Sequence, residues 1–235
     1  MKGRDEQAFQ RKKAEIMETC FNCYAENGLT GTGIQALADA CGLSKASLYT
    51  YFDTLDDLIV ESTAYCMSKV EDDFMRLAPT GIQDISRFID EVPYWTAEHH
   101  SKKYRLMYQV YTHPKYIEHG KAFFAGVNER YHSYARQLEP LLGMPCDVIT
   151  PLIFIFVRAS VHYALFEDEY YLKSQMGVLK ETYPCSAVST ERNSRICCGR
   201  PRGQISKHRA PEALASLHRS SYGIETRPEW LTVSN

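Results

Sequence analysis

The sequence predicts an all-α protein, with an N-terminal three-helix unit built around a helix-turn-helix and a larger helical domain after it. Three observations predict this. Apolar residues recur at three- and four-residue steps through most of the first 183 positions. Glycine and proline punctuate the chain at helix-length intervals rather than every few residues. Alternation of the strand kind is almost absent.

The first helix runs from Arg11 to about Asn27, where Ile16, Met17, Cys20, Phe21 and Tyr24 form an apolar stripe and Gly28 stops the turn. After the break at Thr30–Gly33, Thr32 is placed to cap a second helix from Ile34 to Cys41. Gly42 ends that helix, and Ser44 caps a third, Lys45 to Phe52. Thr54 opens a fourth, with Asp57 completing a near-standard capping box, and this helix continues to Leu77 ahead of Pro79. Further helices are expected at Ile82–His99, Lys102–Tyr111, Ile117–Leu142, Asp147–Phe166 and Glu167–Tyr183.

The chain has 235 residues, 44% hydrophobic and 24% charged, with a formal net charge of −2. That composition suits a globular protein and excludes a polycation, so any nucleic-acid contact must come from a local surface. The longest apolar run, Ile149–Val157, is about half the ~20 residues of a spanning helix. The opening residues Met1–Glu6 lack the apolar stretch of a signal peptide, and a cytoplasmic location is expected, with no membrane partner. Eight cysteines then read as reduced thiols rather than a disulfide scaffold.

Thr32 to Phe52 holds the informative spacing. Two short helices meet at Gly42, and the small Ala38 lets their backbones approach. Ile34, Leu37, Leu43, Leu48 and Phe52 can form one core with Ile16, Phe21 and Tyr24, leaving Lys45, Ala46, Ser47, Tyr49 and Thr50 outward. In such an arrangement the second helix of the pair enters the major groove of double-stranded DNA. Ser44 and the free N–H groups beside it suit a phosphate, Ser47 can reach a base edge, and Tyr49 can place its hydroxyl on the backbone.

From Arg11 to Leu58 the chain resembles the TetR family of bacterial regulators. The likeness rests on the first helix ending at Gly28, then on Thr32, Ile34, Ala38, Gly42, Leu43-Ser44-Lys45, Leu48-Tyr49 and Tyr51-Phe52. The resemblance implies a helix-turn-helix DNA-binding domain (1–58) and a C-terminal helical domain (59–183) for effector binding and dimerisation. It also implies a homodimer on a palindromic operator, released by a small-molecule effector. Carried over by position, Thr32, Ser44, Lys45, Ala46, Ser47, Tyr49 and Thr50 touch DNA. One position departs: family members usually carry a phosphate-binding lysine where this chain has Leu55. Asp53, Asp56 and Asp57 lie beside it, so weaker backbone attraction is expected, offset by Lys2, Arg4, Arg11, Lys12 and Lys13.

The second domain is rich in aromatic residues at helical spacing, which serve either as core or as pocket lining. The pocket candidates are Tyr94, Tyr104, Met107, Tyr108, Tyr111, Arg158, His162 and Phe166, facing a small aromatic or amphipathic effector. The helix from Asp147 to Phe166 is apolar nearly all round and calls for burial, in its own domain or against a twin; Pro151 is expected in its first turn.

Two other classes stay open. An effector-independent architectural protein shares the helix-turn-helix. A thiol- or metal-dependent enzyme is less favoured: Cys20-x-x-Cys23 lies on a helix, His99-His100 reads as solvated surface, and no hydrolase triad or phosphate loop appears. No cofactor, catalytic residue or metal ligand is expected.

The last segment, 184–235, has eight basic against four acidic side chains and little periodicity, and reads as a poorly ordered basic tail. Cys185, Cys197, Cys198 and His208 match no common zinc spacing. Gly199–Gly203 weakly resembles a minor-groove hook, and a reading-frame change also accounts for the composition.

Overall fold

A computed structural model describes residues 2–182, with side chains from Glu6 onward; these residues form eight helices and no strand. The expected tail at 184–235 lies outside the described residues.

Helix α1 (Lys2–Asn27) begins well before the expected Arg11. The polar stretch ahead of Arg11 supports a helix through its own side chains, as Gln10 Nε2 donates to Glu6 Oε1 at 2.9 Å. Phe9 stacks on Tyr51 at 4.8 Å and ties that extra turn to the body. Helices α2 (Ile34–Ala40) and α3 (Lys45–Leu48) meet at Gly42, whose φ of +64° is the left-handed conformation that favours glycine. Ser44 caps α3 as expected, its Oγ accepting from Ser47 N at 3.0 Å. Thr32 caps nothing: Gly33 precedes α2, and the Thr32 hydroxyl donates instead to Gly28 O at 2.8 Å.

The third helix is shorter than the expected Lys45–Phe52. Tyr49 N still reaches Lys45 O at 3.1 Å, but Thr50 and Tyr51 bond only three residues back, to Ser47 and Leu48. The helix tightens at its end rather than uncoiling. Helix α4 (Leu55–Leu77) opens on the full capping box: Asp57 N donates to Thr54 Oγ1 at 3.1 Å, and Thr54 N donates to Asp57 Oδ2 at 3.0 Å.

Helix α5 (Ile82–Tyr111) is one element where two were expected. The polar run His99–Lys103 holds no glycine or proline, and the buried face continues through it as Ile85, Ile89, Val92, Thr96, His100, Tyr104, Met107 and Tyr111. His100 is therefore buried, not solvated surface, while His99 is exposed. Helices α6 (Ile117–Leu142), α7 (Cys146–Phe166) and α8 (Glu169–Thr182) close the bundle. Because α7 starts at Cys146, Pro151 falls in its second turn, not its first. There it leaves the carbonyl four residues back without its helical donor.

Two apolar clusters fill the described residues. One joins Ile16, Phe21, Leu37, Leu48, Phe52 and Leu58 to Met107, Val110 and Val161, and so runs without a break across residue 58. The other lies among the far halves of α4–α8, around Phe74, Ile89, Leu138, Ile149, Phe156 and Leu172. Helix α7 is, by length and composition, apolar enough to cross a membrane, which the expected shorter apolar run had missed. It lies instead within the bundle, packed on α5, α6 and α8, and its apolarity follows from that position.

Candidate nucleic-acid interface

The α2–α3 pair sits on α1 through Leu37, Ala38 and Leu48, all buried against Ile16, Cys20, Phe21 and Tyr24. Ala38 O accepts from Leu43 N at 2.9 Å, which closes the turn over its small side chain. With Leu48 turned inward, Lys45, Ala46 and Thr50 stand exposed, Tyr49 is 47% exposed and Ser47 is half-buried. The structure thus brings Ser44, Lys45, Ala46, Ser47, Tyr49 and Thr50 onto one small surface. Thr32 is not part of it by its side chain, which is 5% exposed with its hydroxyl spent on Gly28. Three other hydroxyls are also engaged: Thr50 Oγ1 donates to Ser47 O at 2.6 Å, and Ser44 Oγ lies 2.9 Å from Ser47 Oγ. Lys45 and Tyr49 are left as the long, free side chains of the turn.

The three carboxylates beside this surface differ in their surroundings. Asp57 is held in the capping box. Asp56 accepts from Lys115 Nζ and Tyr116 OH in the α5–α6 connection, and these contacts pull its carboxyl below the usual range. Asp53 alone of the three has no such partner among the described residues. The expected repulsion of phosphate is correspondingly smaller. The expected compensation is smaller too: Lys12 pairs with Glu15, and Lys13 with Glu61 at 2.6 Å while lying over the Phe52 ring. Leu55, where the family places a lysine, packs half-buried against the first apolar cluster.

A cavity of about 420 Å³, counting its open mouth, lies between α4, α5, α6 and α7. Tyr104, Met107, Tyr108 and Arg158 line it, which brings together half of the expected pocket residues. Arg158 Nη1 donates to Tyr108 OH at 2.9 Å, and its guanidinium lies over Phe124. The other four do not line it. Tyr111 is buried beside Phe123 and Phe124, while Tyr94, His162 and Phe166 sit near the α7–α8 turn, where Phe166 is 68% exposed.

Sequence reasoning missed the polar lining residues Glu71 and Asn128, while Phe124 and Tyr131 belong to the aromatic set read as core or pocket lining. Glu71 is 7% exposed and accepts a hydrogen bond of 2.5 Å from Tyr131 OH. Burial pushes its carboxyl upward, against the opposing pull of Tyr131 and of Arg130. The signal was present in α4: position 71 follows Met67 by one turn and adjoins Val70 and Phe74, so it belongs to the buried face. A second cavity, among Phe74, Phe88, Leu138 and Phe156, is lined almost wholly by apolar side chains and lacks convergent polar groups.

Residues 16–61 match the model of a family described as bacterial regulatory proteins, tetR family. Over 54 residues the chain is 33% identical to the uncharacterized HTH-type transcriptional regulator YerO of Bacillus subtilis (strain 168). That match spans 23% of this chain and 19% of the relative, about a fifth of its length. Two solved structures extend the likeness to the rest of the fold. A TetR transcription regulator from Haloarcula marismortui ATCC 43049 gives a TM-score of 0.57 at 20% identity, over 73% of this chain and 96% of the other. A protein from Mesorhizobium loti MAFF303099 assigned to the TetR family gives 0.59 at 18% identity, over 74% of this chain and 98% of the other. Residues 16–61 are thus similar to the DNA-binding segment of the tetR family of bacterial regulatory proteins, and the described helices share the fold of the solved regulators.

Proposed function

We propose that the chain is a cytoplasmic, ligand-responsive repressor that binds a palindromic operator as a homodimer through Lys45–Thr50. The observation that carries this reading is the α3 surface, where one buried leucine anchors a turn whose two long side chains, Lys45 and Tyr49, face outward. Tyr49 supplies a hydroxyl for a backbone phosphate and Lys45 a charge at the helix start. Ser47 and Ala46 are the short side chains that meet base edges.

The dimer is assigned to α7 and α8. Val148, Pro151, Ile155, His162 and Phe166 recur at three- to seven-residue steps along the less buried side of α7. Tyr170 and Val178 extend that side onto α8, with Tyr170 86% exposed. Exposed apolar side chains along two neighbouring helices support an interface there.

The effector is assigned to the cavity holding Glu71, Tyr104, Met107, Tyr108 and Arg158. Helix α4 connects the two functions. Asp56 sits beside the helix-turn-helix and Glu71 in the cavity wall, 15 residues or about 22 Å apart along one helix. Two recognition turns must lie one DNA turn apart, ~34–36 Å, to enter successive major grooves. An effector that binds better to a different α4 placement shifts the population away from that spacing.

The test is a mobility-shift assay on duplexes selected by the protein from a random pool. Tyr49→Ala is expected to weaken binding about tenfold on all selected sequences, the cost of one phosphate hydrogen bond to a charged oxygen. Lys45→Ala is expected to reduce the log–log salt slope by about one. Both variants should keep the wild-type oligomeric state. Unchanged affinity and salt slope in both would sink the assignment.

A further inference from the structure

We propose that His132, Cys146 and Asp147 form a binding site for one divalent transition-metal ion of the zinc class, at the junction of α6 and α7. The inference is independent of the DNA-binding reading. The Gly143–Pro145 connection folds α7 back so that its first two residues meet a turn of α6. A nitrogen, a sulfur and a carboxylate oxygen then lie within 4.8 Å of one another, the one such group of His, Cys, Asp or Glu among the described residues. Cys146 Sγ is 4.0 Å from His132 Nε2 and 3.7 Å from Asp147 Oδ1. Zinc bonds of about 2.0 Å to nitrogen or oxygen and 2.3 Å to sulfur, at tetrahedral angles, set those separations near 3.5 Å. Two of the three edges therefore need to close by only a few tenths of an ångström. Asp147 is exposed and free to swing for the third.

The histidine is oriented for the role. The Thr150 hydroxyl donates its one proton to Cys146 O at 2.8 Å. Its oxygen lies 3.2 Å from His132 Nδ1 and so accepts from an Nδ1–H. That leaves the lone pair on Nε2, the nitrogen facing Cys146. A ligating histidine whose other nitrogen donates to a neighbouring group is the usual second layer of such sites. Glu139 Oε1 accepts from Cys146 N at 2.6 Å and holds the start of α7 in place. With Asp147 it adds negative charge that favours a dication. One thiol and one imidazole select zinc, cobalt or nickel over magnesium and calcium.

Arg136 competes. Its Nη2 lies 3.2 Å from His132 Nε2 and must move aside for a metal. Its side chain is exposed, so that displacement is sterically open. The competition makes a distinctive prediction: removing Arg136 should tighten binding, whereas removing a ligand should weaken it.

The experiment titrates metal-stripped full-length protein with Co²⁺, reading the thiolate-to-cobalt absorption and the stoichiometry. Because Cys185, Cys197 and Cys198 also carry thiols, the background is the triple variant Cys185→Ser, Cys197→Ser, Cys198→Ser. One equivalent per chain is expected in that background. Cys146→Ser should abolish the absorption, and His132→Gln should weaken binding at least tenfold. Arg136→Ala should tighten it severalfold. Metal-free helicity and thermal midpoint confirm that each variant is folded. Absence of binding in the background, or unchanged binding in both Cys146→Ser and His132→Gln, would overturn the site.

Discussion

His100 shows how one residue departs from what its neighbours suggest. It occupies a seat in the buried face of α5, 5% exposed, edge-on to Trp95. Neither ring nitrogen has a hydrogen bond, and the nearest carboxylate oxygen, on Asp73, is 3.5 Å from Nε2. Burial, then the charges of Lys103 and His99, pull its pKa from the ordinary 6.5 down to about 4. The unfolded chain therefore takes up this proton first as the solution is acidified. Stability associated with His100 is complete above pH 6.5 and falls as pH drops toward 4. Glu71 works in the opposite sense, since its raised carboxyl penalises the folded state above, not below, the usual carboxylate range. Thermal midpoints from pH 7 to 4 should decline less steeply for His100→Leu than for the wild type. Parallel curves would contradict the assignment.

Among the elements, the α5–α6 connection is a close-packed joint. A Cβ added at Gly120 would lie 2.7 Å from Tyr111 Cβ and 3.1 Å from Tyr111 O. Tyr111 cannot yield, because its ring is buried against Phe123 and Phe124. Gly120→Ala should therefore cost about 1–3 kcal/mol through overpacking. Gly126, on the same helix with no neighbour within 4 Å of such a Cβ, is the control. There the alanine should stabilise by roughly 0.5–1 kcal/mol, from helix propensity alone. Denaturant midpoints for the two variants should move in opposite directions, and movement in the same direction would remove the close approach as the cause. The same joint carries Lys115 and Tyr116 onto Asp56, so it fastens the end of α5 to the start of α4.

For the whole molecule, the proposal rests on two chains meeting through α7 and α8. Phe166→Glu combined with Tyr170→Glu places charge in the exposed apolar strip while leaving the buried faces of both helices intact. Sedimentation should show a monomer, and DNA affinity should fall by more than tenfold, because one half-site contact then acts alone. A double variant that stays dimeric would move the interface elsewhere. Ion pairs such as Lys102–Glu26, at 2.5 Å between α5 and α1, join the helix-turn-helix to the bundle but are solvent-exposed and contribute little each. The continuous apolar cluster across residue 58 is the stronger link.

The sequence by itself determined the helical class, the turn at Gly42, the caps at Ser44 and Thr54 and the outward set from Lys45 to Thr50. These depend on contacts within one or two turns of chain, so spacing and turn chemistry suffice to place them. It misplaced the break near His99, because a polar run was taken for a helix end although it carries neither a glycine nor a proline to stop the helix. Only the tertiary structure decided which aromatics line the cavity, that Glu71 is buried with Tyr131, and that Lys115 meets Asp56. The same is true of His132 beside Cys146. Each of those pairings joins different helices, and their rotation and stagger are set by the packing of the whole core rather than by any local pattern.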